Sequence, residues 1–276
     1  MLFSMQCMRK TMFRADLHCH TTCSDGELSP QEVITKAKEC GLTGLAITDH
    51  DTMEAYAMAK VVAEEAGILL GTGIELSASF YEKSVHILGY AFDATSSALQ
   101  TFCVRQQLYR TERNHAILKR LRQLGMPIAE EELKGSSIGR MHIAKKAVEK
   151  GYVKTAKEAF HQYIGEGRPC FVSLKVPSVE ETIGVIQRAN GKAFLAHPHF
   201  TNPNKALLSL PFDGIECYYA LLAPQRERKW LRIAEKQGRL ISGGSDFHGT
   251  AKESSPLGSS WVDESCFYKI FPHLNG

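Results

Sequence analysis

Asp16, His18 and His20 stand at every second position of "ADLHCHTTCSDG", and Asp25 follows five residues later. On a strand, residues two apart face the same side, so the two imidazoles converge with Asp16 beneath them. Cys19, between them, points to the opposite face and is expected to pack behind the strand. Alone, His-x-His is weak: eleven histidines in 276 residues yield about half of one such pair by chance, and His197-Pro198-His199 is another. The weight comes from recurrence. His50 closes "GLAITDH", Glu75 follows "ILLGTGI", His86 lies within "SVHILGY", His197 closes "KAFLAH", and Asp246 and His248 close "RLISGGSDFH".

His18, His20, Asp25, His50, Glu75, His86, His197, Asp246 and His248 supply six imidazoles and three carboxylates. A mixed nitrogen and oxygen set suits Mn²⁺, Fe²⁺ or Zn²⁺, whereas an all-oxygen set suits Mg²⁺ or Ca²⁺. Nine ligands exceed the needs of one ion and would serve two or three. Three divalent ions against three carboxylates leave an electron-poor pocket, which favours a phosphate and a metal-bound hydroxide.

The elements that must position these groups alternate. Seven short β-rich segments end in or carry the polar residues, the seventh being "FDGIECYY" with Glu216. Helical patterns separate several of them: "SPQEVITKAKECG" with Ser29 and Glu32 as a capping box and Gly41 as its stop, "MEAYAMAKVVAEEAG", and "SVEETIGVIQRANG" closed by Gly191. Strand and helix in alternation predict a parallel sheet, whose chemistry gathers at the carboxyl ends of the strands. The expected fold is α/β and barrel-like, with one polar mouth. Residues 95–176 break the rhythm. A long basic amphipathic helix runs to Gly125, shorter helical pieces follow in "MHIAKKAVEKG" and "TAKEAFHQYIG", and no strand pattern intervenes. This predicts a body of 13–94 and 177–276 interrupted by a helical insert at 95–176.

Net charge is +3, unevenly placed: residues 95–180 carry 15 Lys and Arg against 8 Asp and Glu, the rest 18 against 22. The basic stretch is expected to form a surface suited to an anionic substrate. No apolar run reaches the ~18 residues of a membrane span, and "MLFSMQCMRKTMF" reads as a short extension rather than a signal peptide. Eight cysteines show neither Cys-x-x-Cys spacing nor a regular framework, which predicts reduced thiols and a cytoplasmic setting. The sequence carries no signal for an oligomeric state.

Six stretches in order, "DLHCHTTCSDG", "ITDHDT", "GIELSA", "VHILGY", "LAHP" and "GSDFHG", resemble the motifs of the PHP (polymerase and histidinol phosphatase) superfamily. The chain is most similar to its stand-alone metal-dependent phosphoesterases acting on nucleotides or RNA 5′ ends, from about residue 13 to 262. "IGRMHIAKKAVEKGYVKTAKEAFHQYIGEGRP" resembles that branch's inserted subdomain. The resemblance implies a distorted (β/α)7 barrel around a trinuclear centre, with two or three divalent ions, Mn²⁺ first and Fe²⁺ or Zn²⁺ as alternatives. It implies that His18, His20, Glu75 and Asp246 hold one ion, that Glu75 bridges to a second on His86 and His197, and that Asp25, His50 and His248 hold a third. The attacking hydroxide would then be held near Glu75, Asp246 and His197. Relatives often carry Pro where Met141 follows Arg140; a helix start does not require it.

Other residues receive plainer readings. Asp16, Asp49 and Asp51 are expected to accept from the free N–H of ligand histidines. His199 is expected to be structural, and Glu216 to make a hydrogen bond away from any histidine. Tyr218 and Tyr219 are expected in the core rather than on a base. Arg140 at a helix start opposes the macrodipole, whereas a phosphate there is favoured by both, so Arg140 and His142, with Lys175, are phosphate-binding candidates.

The expected activity is phosphoester hydrolysis of a small phosphorylated substrate: a nucleoside 3′,5′-bisphosphate or the 5′ end of a short RNA. A small monoester such as histidinol phosphate is the alternative. An amidohydrolase would want a lysine bridging the metals, where Glu75 stands; a passive nucleic-acid-binding module would have no use for nine ligands.

Overall fold

The computed structural model describes residues 12–173, 175–249 and 254–275. The reading of the N-terminal extension therefore lies almost wholly outside the described residues. Among the described residues the strands are β1 (Ala15–Cys19), β2 (Gly44–Ile47), β3 (Leu69–Gly71), β4 (Gly73–Phe80), β5 (Lys83–Tyr90), β6 (Lys192–Leu195), β7 (Gly214–Tyr219) and β8 (Leu240–Gly244). The helices are α1 (Pro30–Glu39), α2 (Glu54–Ala66), α3 (Ser97–Gln123), α4 (Arg140–Glu149), α5 (Ala156–Ala159), α6 (Val179–Arg188), α7 (Pro198–Thr201), α8 (Lys205–Leu208), α9 (Pro224–Lys236) and α10 (Glu264–Ile270).

β1, β2 and β3 pair in parallel as a three-stranded sheet, and β4 to β8 form a five-stranded one. Two expectations need correction. "ILLGTGIEL" is not one strand: it breaks at Thr72 into β3 and β4, which belong to different sheets. Gly73 permits the turn away, since a Cβ there would lie 2.5 Å from the Ile47 carbonyl oxygen of β2. Nor is the second sheet all parallel. β4 and β5 form an antiparallel hairpin through Tyr81 and Glu82 (φ 47° and 64°), and β5 also meets β6 antiparallel; β6, β7 and β8 are parallel. The two-residue loop needs left-handed backbone at both positions, and Tyr-Glu carries none of the Asn-Gly chemistry that announces such a turn.

The helices start and stop as their residues dictate. Ser29 accepts from Glu32 N while the Glu32 side chain accepts from Ser29 N, completing the capping box of α1. Gly41 and Gly67 take the left-handed position after α1 and α2. After α6 that position belongs to Asn190 (φ 59°) rather than Gly191. α3 runs 27 residues to Leu124 and Gly125.

One apolar cluster packs β1 to β3 against α1 and α2, and another packs β4 to β6 against α6 and the start of α3. A third draws Leu17, Ala46, Leu88, Tyr90 and Phe194 from both sheets and seals them with Phe267 and Phe271. The Tyr90 hydroxyl donates to Leu17 O at 2.7 Å within it. Single bridges join Cys19 to Phe247 and His50 to Glu75 across the two sheets. Among the described residues between β5 and β6 all regular structure is helical, and the far half of α3 shares a separate cluster with α4, α5 and the turn at 160–164.

Candidate metal centre

β1 delivers its side chains in the alternation its sequence implies. His18 and His20 point to one side, fully buried, while Ala15, Leu17 and Cys19 enter apolar clusters. β8 lies hard against them: a Cβ on Gly244 would sit 2.3 Å from His18 N, and Asp246 N donates to His18 O at 2.7 Å. Past β1 the chain folds into a tight loop. Thr21 donates to Asp49 through its backbone N–H (2.8 Å) and its hydroxyl (2.6 Å), and Ser24 does so through its hydroxyl. That loop carries Asp25 back over His20. Asp51, His197 and Asp246 each follow a strand with positive φ (53°, 23° and 53°), and strained backbone of this kind is held in place where side chains must be aimed.

All nine ligand candidates converge, and Glu75 is the hub. Its Oε2 lies 3.3 Å from His18 Nε2, 3.2 Å from His20 Nε2 and 3.3 Å from His50 Nδ1; its Oε1 lies 2.9 Å from both His86 Nδ1 and His197 Nε2. Asp246 Oδ1 lies 3.4 Å from His18 Nε2, 3.3 Å from His20 Nε2 and 3.4 Å from His248 Nδ1. Asp25 Oδ1 lies 3.3 Å from His248 Nε2 and 3.7 Å from His20 Nδ1, and its Oδ2 is 4.0 Å from His50 Nε2. Three overlapping groups have donors close enough to share an ion: His20, Asp25, His50 and His248; His18, His20 and Asp246; and His50, Glu75 and His86.

The donor set fits divalent cations. Ligands bonded at about 2.0–2.2 Å around one tetrahedral or octahedral ion stand roughly 3.0–3.4 Å apart, the separation of many of these pairs. The buried nitrogens His20 Nε2 and His50 Nδ1 approach Glu75 within 3.2–3.3 Å without a well-directed hydrogen bond, and His197 Nδ1 has no hydrogen-bond partner; a cation shared between such donors would satisfy them. Glu75 and Asp25 are poised as anions. Burial opposes their charge, but His50, His86 and His18 around Glu75, and His248 and His50 around Asp25, hold both carboxyls well below the usual range.

The histidines divide by environment. Burial pushes His50 down to about 3. Burial also works against protonated His18 and His20, yet Glu216, Asp246 and Glu75 raise His18, and Asp246 and Glu75 bring His20 up to about 9. Without metal, His18 and His20 therefore hold protons at neutral pH, and a dication bound by them would have to displace these. Loading the metal-free protein at pH 7 is expected to release about two protons. Release should decline as pH passes 9, where His20 is already neutral. Calorimetric metal titrations in buffers of different ionisation enthalpy measure this directly; loading without proton release would contradict it.

Several expectations for the surrounding residues are overturned. Glu216 does pair with a histidine: its Oε1 lies 2.7 Å from His18 Nδ1, and its Oε2 accepts from His197 N at 2.6 Å. It orients one ring and the backbone of another, a role the isolated strand end "GIE" did not signal. Conversely, Asp16, Asp49 and Asp51 orient backbone and loops rather than ligand rings. Asp16, raised to about 6 by burial, accepts from the N–H groups of His18, Ser245 and Gly258. Asp51 accepts from Ser77 and from Arg110.

His142 caps α4 by accepting from Gly139 N at 3.0 Å, and Asp25 and the Ser24 carbonyl are close enough to act on its charge. Arg140 donates to Ile164 O at 3.3 Å, and its guanidinium lies over Phe160 and Phe171 at 5.6 and 5.5 Å. Lys175 stands apart, over the Tyr109 ring at 5.3 Å. Two arginines were absent from the sequence-derived candidates. Arg110 donates to Asp51 at 2.6 Å, and Arg113, 7% exposed, bonds to the Asn114 side chain. Burial and the like charges of Arg110 and Arg140 push Arg113 down to about 9. Neither Arg113, which is buried, nor Arg140, which is half-buried, forms a salt bridge among the described residues, so unpaired positive charge gathers around Ile138–Arg140. A Cβ on Gly139 would lie 3.4 Å from Arg110 Nη1 and 3.9 Å from Asp25 Oδ2.

Residues 16–167 match the PHP domain. A 5′-3′ exoribonuclease of Haemophilus influenzae is 34% identical over 247 residues, covering 84% of this chain and 89% of the relative. A 3′,5′-nucleoside bisphosphate phosphatase of Chromobacterium violaceum is 32% identical over 267 residues, covering 90% and 91%. A Bifidobacterium adolescentis protein assigned as a metal-dependent phosphoesterase superposes with a TM-score of 0.86 at 28% identity, covering 94% and 95%. A family match over more than half the sequence and relatives aligned almost end to end admit one classification: the chain belongs to the PHP domain family.

Proposed function

We propose that this protein is a metal-dependent phosphoesterase that hydrolyses nucleotide phosphate esters, either a nucleoside 3′,5′-bisphosphate or the 5′ end of a short RNA. The observation that carries the reading is Glu75, a buried carboxylate met by five histidine rings beside orphaned imidazole nitrogens. In this reading His18, His20, Glu75 and Asp246 hold one ion, Glu75, His86 and His197 a second, and Asp25, His50 and His248 a third. Manganese suits the mixed imidazole and carboxylate donors, with iron or zinc as alternatives. Divalent ions bound there supply Lewis acidity towards a phosphoryl oxygen and lower the pKa of water.

The chain's own residues do the rest. Glu216 fixes the His18 ring, and Tyr219 donates to Asp246 Oδ2 at 2.6 Å, fixing that carboxylate. Arg140, Arg113 and His142 hold a second phosphate of the substrate, which accounts for two arginines, one buried and one half-buried, without a salt-bridged carboxylate among the described residues. We read the two sheets as one distorted (β/α)7-type barrel, a reading supported by the bridges between them, with 95–176 as a cap over its mouth. Ser137 N bonds Cys23 O at 3.1 Å and Lys145 pairs with Glu27 at 3.2 Å, tying that cap to the Asp25 loop. The described cysteines are all free thiols. No helix among the described residues is long and apolar enough to cross a membrane.

The test is phosphate release from adenosine 3′,5′-bisphosphate and nucleoside monophosphate release from a 5′-phosphorylated oligoribonucleotide, with chelator and after adding back Mn²⁺. Metal-dependent release is expected; release from neither substrate sinks the reading. Arg140→Ala separates the histidinol phosphate alternative. Losing a charge-assisted contact should cut kcat/KM for the bisphosphate by about tenfold or more. It should leave a one-phosphate ester within about twofold; equal loss on both would remove Arg140 from the second-phosphate role.

A further inference from the structure

The histidine rings form a contact network with different surroundings at His248 and at His197, His18 also joining His20 at 5.3 Å to His197 at 5.8 Å. His248 stacks on His20 at 4.0 Å, His20 meets His50 at 4.8 Å, His50 meets His86 at 5.0 Å, and His86 meets His197 at 5.2 Å. At the His248 end stand Asp25 and, across Gly139, the arginine cluster. At the His197 end the next ring is Phe200, 5.7 Å away. Phe200 is 66% exposed, an unusual fate for phenylalanine, yet it is not loose. His199 at 4.1 Å and Tyr219 at 5.5 Å also brace it, and its backbone N–H is bonded to His197 O. Two residues beyond Tyr219, Leu221 is 75% exposed in the left-handed region (φ 63°).

The geometry points to Phe200 as the platform on which the substrate's nucleobase stacks. This rests on the nucleotide phosphoesterase reading and goes beyond it by assigning the base a site. A rigid, exposed aromatic ring one residue contact from the metal centre has the properties of a base platform. The arginines gather beside Asp25 and Phe200 stands beside His197, so the apolar base and the remote phosphate would meet different residues of the site. Tyr218 and Tyr219 do not compete: Tyr219 is buried with its hydroxyl on Asp246, and Tyr218 packs against the apolar cluster between the sheets. Stacking against a ring is sequence-tolerant, so the site would take purines and pyrimidines with modest preference.

The experiment compares adenosine 3′,5′-bisphosphate with its base-free ribose counterpart, using the full-length wild type and the Phe200→Ala and Phe200→Trp variants. Phe200→Ala should raise KM for the nucleotide about tenfold, mainly without a matching fall in kcat. The penalty should shrink towards unity on the base-free substrate, a coupling that mere packing on His197 would not produce. Phe200→Trp should restore KM, and its fluorescence, corrected for Trp230 and Trp261 with the wild type, should be quenched on adding the nucleotide but not ribose bisphosphate. Equal penalties on both substrates, or no quenching, would overturn the proposal. Should the wild type release phosphate from neither substrate, the phosphoesterase reading falls while quenching still decides the stacking claim.

Discussion

Glu75→Gln is expected to lower phosphoesterase activity by about 10³-fold or more and to empty most of the metal centre. The change is nearly isosteric, so packing gives little reason for the loss. What changes is charge at the one group that touches His18, His20, His50, His86 and His197. An amide offers one neutral oxygen where the carboxylate offers two anionic ones, and its NH2 group repels any cation brought against it. The same substitution removes a shared source of the raised His18 and His20 basicity, so fewer protons should be displaced on loading. Elemental analysis of purified wild type and variant, with circular dichroism to show an unchanged fold, reads the prediction. A variant that keeps its metal and its rate would remove Glu75 from the hub role and with it the bridging assignment.

Much of this centre was legible because strand periodicity and strand-end position need only local sequence. His18 and His20 had to share a face, and His50, Glu75, His197 and Asp246 each followed an apolar β-rich run. Partnerships across the fold were not legible. Glu216 could not be matched to His18, 198 residues away, until β7 and β1 lay in one structure. Asp16, Asp49 and Asp51 lie within two residues of histidines in sequence, yet backbone N–H groups, hydroxyls and Arg110 take up their carboxylates. Arg110 and Arg113 were hidden for a different reason. "QQLYRTERN" reads as a solvated helix face, yet Gln106, Arg110, Arg113 and Asn114 fall on one side of α3 and are buried against the body. Charged residues default to exposure, so only tertiary packing shows which of them do not. Phe200 is the converse, an apolar residue that packing leaves out.

The burial of Arg110 carries the largest expected effect on stability. Asp51 is fully buried with positive φ, and its carboxylate is met by Ser77 N at 2.9 Å, Ser77 Oγ at 3.1 Å and Arg110 Nε at 2.6 Å. Arg110 also donates to Ser77 Oγ at 2.9 Å, so α3 is pinned by an ion pair to the segment after β2 and by a hydrogen bond to β4. Arg110→Met keeps much of the side-chain volume but strands a buried carboxylate, which is expected to cost about 3–5 kcal/mol. For a chain of this size that is a fall in Tm of roughly 10 °C or more. Asn tolerates left-handed backbone, so the double variant Asp51→Asn/Arg110→Met should recover a large part of the loss. The pH dependence fixes the sign. Burial opposes ionised Asp51, but Arg110 and the Ser77 N–H hold its carboxyl below the ordinary value, so it contributes stability above the unfolded pKa that is lost as pH falls. Without Arg110 the burial remains and the carboxyl rises, so the single variant is penalised most at neutral pH and less as acid neutralises Asp51. Wild-type and Arg110→Met unfolding curves should therefore converge below about pH 5. A gap that stays constant with pH would assign the loss to packing of the α3 face and not to the ion pair.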